Sequence, residues 1–259
     1  ATIAAAPGGR FSRQPLPGNI LPPQRVNATA RKLMEFWPEP NQPGTIDGRN
    51  NWTTPGPEWD HFYTHVFRVD HNVSEKHRVF VRGDLNDRLQ EYDVRFNKAV
   101  GGNFFRRNRG LALDDVYMFT PTLLMNNRYS YTRFPEGTVP INSGMDLASV
   151  GFSSNFVNQV RQVDARGIKF PNVNVSGYGA FGSHTRNFRY TETHDFASNF
   201  TRVVRAHNLR FGMGYRVYRE NAFNLLQSSG RFDFGTEWTR GPLDTSRGGY
   251  PTVVDFQWV

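Results

Sequence analysis

The stretch HNLRFGMGYRVYREN, residues 207–221, decides the fold. In it Leu209, Phe211, Met213, Tyr215 and Val217 alternate with Arg210, Gly212, Gly214 and Arg216. A period of two marks a β-strand whose faces meet different surroundings, because successive side chains leave the pleat on opposite sides. One face here is apolar and aromatic, and the other carries charge. A partner strand from about Phe188 to Val203 reaches this stretch through a turn near Arg205-Ala206-His207. The pattern recurs upstream in Phe62–His71 and His77–Asn86, joined by the polar turn Asn72–Lys76. There Tyr63, Phe67 and Val69 share one face, as do Val79, Val81 and Leu85, while Arg68, Asp70, Arg82 and Asp84 take the other. It recurs again where a strand ending near Phe119 turns at Thr120-Pro121-Thr122 into Leu123–Phe134, with Tyr129 and Tyr131 alternating with Arg128, Ser130 and Thr132.

The three hairpins predict tight turns at one end. The connections at the other end are long, over 87–108, 135–187 and 220–231. Compact soluble domains rarely hold structureless loops beyond ~15 residues, whereas outer-membrane barrels join short periplasmic turns to long extracellular loops. The expected fold is therefore all-β: an antiparallel meander forming part of a large outer-membrane β-barrel with long extracellular loops. Residues 1–60, interrupted by Pro15, Pro17, Pro22 and Pro23, read as an extracellular loop segment. It holds one short helix, Asn27–Phe36, capped by Asn27 and stopped by Pro38 and Pro40. Residues 61–259 read as a partial barrel, with a further strand at Phe232–Trp238 and a tail at Val253–Val259.

Composition bounds the function classes. Among 259 residues only 37% are hydrophobic, yet 14% are aromatic, which disfavours disorder. No run approaches the ~18 apolar residues of a spanning helix; barrel strands need only ~10 alternating ones. Cysteine is absent, so disulfides and thiolate metal sites are excluded. The net charge of +8 comes from arginines spread along the chain. They read as a solvated, ion-paired surface, or as contacts for an anionic partner such as lipopolysaccharide phosphate. No nucleic acid is expected.

The phrases at the hairpins resemble Oar-like TonB-dependent transporters. They are RVDHNVSEKHRVF (68–80), RGLALDDVYMFTPTL (109–123), RYSYTRF (128–134) and the opening stretch itself. The loop phrases PLPGNILPPQRV (15–26) and FWPEPN (36–41) resemble an extracellular loop of the same family. The resemblance covers most of the chain and weakens after Gly249. It implies a 22-stranded barrel, closed by its own plug domain and importing a solute with energy relayed through the plug by TonB. The plug, the TonB-contacting segment, an N-terminal carboxypeptidase-regulatory-like domain and a closing strand are not recognisable, so the chain reads as an internal fragment of the barrel. The implied location is the cell outer membrane, with its lipid and lipopolysaccharide as neighbours. The solute class stays open: oligosaccharide, peptide or chelate. A second reading is a secreted β-sandwich binding anionic polysaccharide or nucleic acid. A polysaccharide-acting enzyme is a third.

No catalytic, metal or cofactor site is expected. Gly177–Gly182 matches GxGxxG but is followed by a strand pattern where a dinucleotide site needs a helix. His61 and His65 have the spacing of a zinc pair only on a helix. The candidates for solute contact are the charges that alternation aims at the barrel interior: Arg68, Asp70, Arg82, Asp84, Arg128, Arg210 and Arg216. Mutual ion pairing and plug contact are the plainer use of these charges. The aromatic residues Trp52, Trp59, Phe104, Phe105, Tyr178 and Phe181 are assigned to loops, where they serve to stack on a solute or to pack the loops themselves.

Overall fold

A computed structural model describes residues 2–6, 10–46, 49–56, 58–182 and 184–235. In chain order these form β1 (Thr2–Ala6), β2 (Arg10–Gln14), α1 (Ala28–Met34), β3 (Trp59–Ser74), β4 (His77–Arg95), β5 (Val100–Thr120), β6 (Leu123–Pro140), α2 (Ser154–Asp164), β7 (Asn172–Val175), β8 (Asn187–Val204), β9 (His207–Asn224) and β10 (Arg231–Phe234). Six long strands make one antiparallel sheet in the order β3-β4-β5-β6-β8-β9, each paired with its sequential neighbour. The sheet is open among the described residues, with β3 and β9 at its edges.

The three tight turns are two-residue links at Glu75-Lys76, Pro121-Thr122 and Arg205-Ala206. They are staggered. The level of the first turn, at His77, meets Tyr117 on β5, yet that strand continues to Thr120; the second, at Leu123, meets Arg202, and β8 continues to Val204. Allowing for the bulge between Met118 and Thr120, the drift is about four residues over four strand spacings. At roughly 3.4 Å per residue and 4.8 Å per strand, turns on one level require strands tilted by about 35°, at the lower end of the tilt that closes a barrel.

Register fixes the faces. The outward row Val69-Val81-Leu113-Tyr129-Phe196-Tyr215 and the row Phe67-Gly83-Leu111-Tyr131-His194-Val217 cross all six strands. All thirteen residues read as apolar from alternation in the hairpins fall on this one face. It is uncovered: Phe67, Phe211, Met213 and Tyr215 are 51%, 58%, 72% and 72% exposed. No second sheet packs on it among the described residues, which removes the sandwich reading. The Phe67 ring lies over Gly83, where a Cβ would stand 2.2 Å from its tip and the exposed ring would have to swing aside.

Counted up each strand from its turn, the first ten residues bring only two formal charges to this face, Asp115 and Arg202. Ten tilted residues rise about 25–28 Å, close to the apolar band of outer-membrane barrels. Asp115 lies inside that band, on the alternating face of Leu111, Leu113 and Tyr117. Its oxygens accept from His77 Nε2 at 2.6 Å and Asn127 Nδ2 at 3.3 Å, and Asn127 in turn accepts from Ser198 at 2.7 Å. The polar strip satisfies itself, as burial away from water demands.

Several expectations fail, among them the loop bounds 135–187 and 220–231, into which β6 runs to Pro140 and β9 to Asn224. Residues 87–108 are not a loop: β4 and β5 run on through them and turn at 96–99, where Phe96, Asn97 and Lys98 all take positive φ near 50–64°. Above the apolar band both faces meet water, so the polar/apolar alternation that reveals a strand disappears while its hydrogen bonds persist. Phe104, Phe105 and Trp59 are consequently strand residues. In the opening segment, read as loop, β1 and β2 pair antiparallel. The strand expected at Phe232–Trp238 begins as β10, but it pairs parallel with β7 outside the main sheet. Residues 236–238 and the Val253–Val259 tail lie outside the described residues.

Candidate solute site: a loop cap and the charged inner face

The loops at the end of the sheet opposite the tight turns fold into a cap with its own core. Asn27 caps α1 as expected, its Oδ1 accepting from Thr29 and Ala30 N–H at 2.9 and 3.1 Å. The link between β6 and β8 spans 141–186 and contains α2, whose first turn is capped by Ser153. Ala30, Leu33, Phe96, Val100, Phe170, Val173, Phe181 and Phe234 bury against one another, so distant segments of the chain close a single core.

A cleft of about 910 Å³ opens in this cap. Trp37, Trp52 and Tyr178 line it, with Arg49, Asn50, Asn51, Thr53, Thr54 and Arg95 supplying polar groups. Aromatic faces with a few polar groups are the usual make-up of a small-molecule site. The rings are held in place. Trp37 Nε1 donates to the Gly179 carbonyl at 3.0 Å, Trp37 lies 5.8 Å from Tyr178, and Trp52 lies 5.3 Å from Phe96 between centroids. Asn41 clamps the Trp52 segment by exchanging hydrogen bonds with Thr53 at 2.7 and 3.0 Å. The glycine phrase serves this packing. A Cβ on Gly179 would meet Phe96 at 2.4 Å, and Gly182 has φ +63° with a Cβ position 2.1 Å from the Pro171 carbonyl. The next element among the described residues is the strand β8 rather than a helix.

Of the aromatic candidates, Trp52 and Tyr178 therefore come together. Trp59 does not: it begins β3, stacks on His61 at 6.2 Å and stands away from the cleft. Phe181 is fully buried in the cap core. Trp37, which sequence reasoning missed, sits in the FWPEPN phrase and reaches the cleft only because α1 ends beside Gly179.

The seven charged candidates all fall on the inner face, opposite the apolar one. Most are engaged. Arg68 binds both oxygens of Asp70 at 2.8 Å. Arg128 Nε donates to Asp114, itself 5% exposed, at 2.8 Å, and Arg216 pairs with Asp195. Asp84 accepts from Asn108 at 2.6 Å. Arg82 faces Arg68 across the ladder, and both Arg82 and Arg210 are exposed. Those two are the cations best placed to meet something in the interior. His61 and His65 lie on one strand, and among the described residues no three His, Asp or Glu side chains converge as a metal site.

A family model described as "Outer membrane beta barrel domain" matches residues 1–257. No curated protein and no solved structure matches the chain.

Proposed function

This chain belongs to the outer membrane beta barrel domain family, and on that premise we propose that it is the wall and loop segment of a TonB-dependent importer of the Oar-like kind. Its place is the outer membrane, with the apolar face toward lipid and the charged face toward the lumen. A spin label at Val81 or Phe211 is expected to be quenched by a lipid-soluble agent and one at Arg82 or Arg210 by a water-soluble agent only. Equal quenching of the two pairs would overturn this orientation.

The observation that carries the import reading is the aromatic cleft in the cap, set at the loop end of a sheet whose inner face is a field of arginine and carboxylate. Trp37, Trp52 and Tyr178 offer ring faces, and Asn50, Asn51 and Arg95 offer hydrogen bonds, a combination suited to ring-bearing, hydroxylated solutes such as oligosaccharides. Peptides and chelates remain within reach of the arginines. The paired inner charges suit contact with a plug, through which TonB would act. No residue is assigned a catalytic, metal or cofactor role in this reading.

Uptake of labelled oligosaccharides, peptides and ferric chelates by cells carrying the intact protein tests it. The expected result is energy-dependent uptake of one class, reduced about 5- to 150-fold by Trp52→Ala with Tyr178→Ala, in line with the roughly 0.5–1.5 kcal/mol of each aromatic contact. Uptake of every class that ignores both the cleft residues and the energy supply would overturn the reading.

A further inference from the structure

On the outward face the charges begin abruptly where the apolar band ends. Asp87 and Arg133 are each the eleventh residue counted from their tight turn. Arg109, Glu192, Arg219 and Arg107 follow within the next three positions of their own strands. Register places Arg109 directly opposite Arg133, Arg133 opposite Glu192, and Glu192 opposite Arg219. A girdle of four guanidinium groups and two carboxylates thus borders the lipid on the side of the long loops, which is the outer leaflet.

The carboxylates do not neutralise it. Asp87 is shared between Arg109 at 2.7 Å and Arg107 at 3.2 Å, and Glu192 reaches Arg133 at 3.6 Å. Arg107 and Arg133 side chains stay 58% and 51% exposed. Arg109 turns to Asp87 and to the Asn86 and Asn108 carbonyls, so the two positive charges in excess across the girdle fall to Arg107, Arg133 and Arg219. At this depth, the chemistry that fits is a phosphate held in the interface by acyl chains lying against Leu111, Leu113, Tyr129 and Tyr131. We propose that Arg107, Arg133 and Arg219, flanking the Asp87-held Arg109, form a binding site on the outer wall for the phosphate groups of a phosphorylated glycolipid of the outer leaflet. Guanidinium forks match phosphate oxygens in pairs, which a lysine ammonium does not. The site rests on the membrane placement of the sheet and is independent of the import reading.

The test uses the intact protein, extracted from its membrane and reconstituted with either a bisphosphorylated acyl-glucosamine lipid or the same lipid after phosphatase treatment. Lipid retained through detergent exchange is counted by mass spectrometry. The protein is expected to keep the phosphorylated form at least tenfold better than the dephosphorylated one. Arg107→Gln with Arg133→Gln and Arg219→Gln is expected to abolish that preference. Arg109 is left in place because its guanidinium also donates to the Asn86 and Asn108 carbonyls at 3.0 Å. Arg82→Gln with Arg210→Gln on the inner face is expected to leave the preference intact. Equal retention of the two lipids by the unaltered protein, a result needing no variant, would overturn the proposal, as would an undiminished preference in the triple variant.

Discussion

Arginine in place of Val81 or Tyr129 is expected to lower assembly of the barrel about 30- to 900-fold. Val81 is the fifth residue from its turn and Tyr129 the seventh, so both stand near the middle of the apolar band. A guanidinium at that depth costs roughly 2–4 kcal/mol, and each 1.4 kcal/mol is a factor of ten. Relief by slipping the strand is closed off. A one-residue shift would take the introduced charge inward but carry Arg82 and Asp84 of β4, or Arg128 of β6, onto the lipid face in its place. The converse substitutions, Arg82→Leu and Arg210→Leu, alter the aqueous face and are expected to change assembly by less than about threefold, the usual scale for exposed positions. The share of folded, heat-resistant barrel recovered from the membrane, with its urea midpoint in vesicles, measures both. Similar losses from the two sets would contradict the assignment of faces.

The second large effect concerns Lys169 in the cap. Its side chain is 1% exposed, and its ammonium donates to Asn172 Oδ1 at 2.8 Å and to the Gly182 carbonyl at 2.9 Å. Both acceptors are neutral, so burial is uncompensated and pushes the amine down from 10.5 to about 8. The charged form is the one that burial penalises. Between about 8 and 10.5 the opened cap binds more protons than the closed one, so the stability of the cap rises with pH across that window. From pH 7 to pH 9.5 the gain is about 2 kcal/mol, a factor of roughly 30 in the closed-to-open ratio. Proteolysis of the 141–186 segment in the assembled protein is expected to slow accordingly. Lys169→Met removes the titrating group and is expected to flatten the dependence, whatever its effect on absolute stability. A slope that persists in this variant would assign the effect to another group.

The sequence by itself determined the wall of this protein. In the hairpins around 72–76, 120–122 and 205–207 the apolar and charged residues alternate so regularly that a register slip exchanges lipid for water along a whole strand. That penalty is local and periodic, so it can be read without coordinates. Arg68, Asp70, Arg82, Asp84, Arg128, Arg210 and Arg216 were placed on one face by this logic alone. The signal ends where the membrane ends. Above the eleventh residue both faces meet water, nothing selects between them, and the upper halves of β4 and β5 passed for loop. Tertiary structure decided the rest. The cap core joins Leu33, Phe96, Phe170, Phe181 and Phe234 across most of the chain, and no periodicity links residues so distant. Trp37 and Trp52 share a cleft with Tyr178 only because Gly179 lets Phe96 approach and Asn41 holds Thr53. Trp59, of the same residue type and only seven positions from Trp52, goes to the strand. The outward girdle also needed the ladder, since Arg109 and Arg133 are 24 residues apart in the chain and become opposed only through pairing.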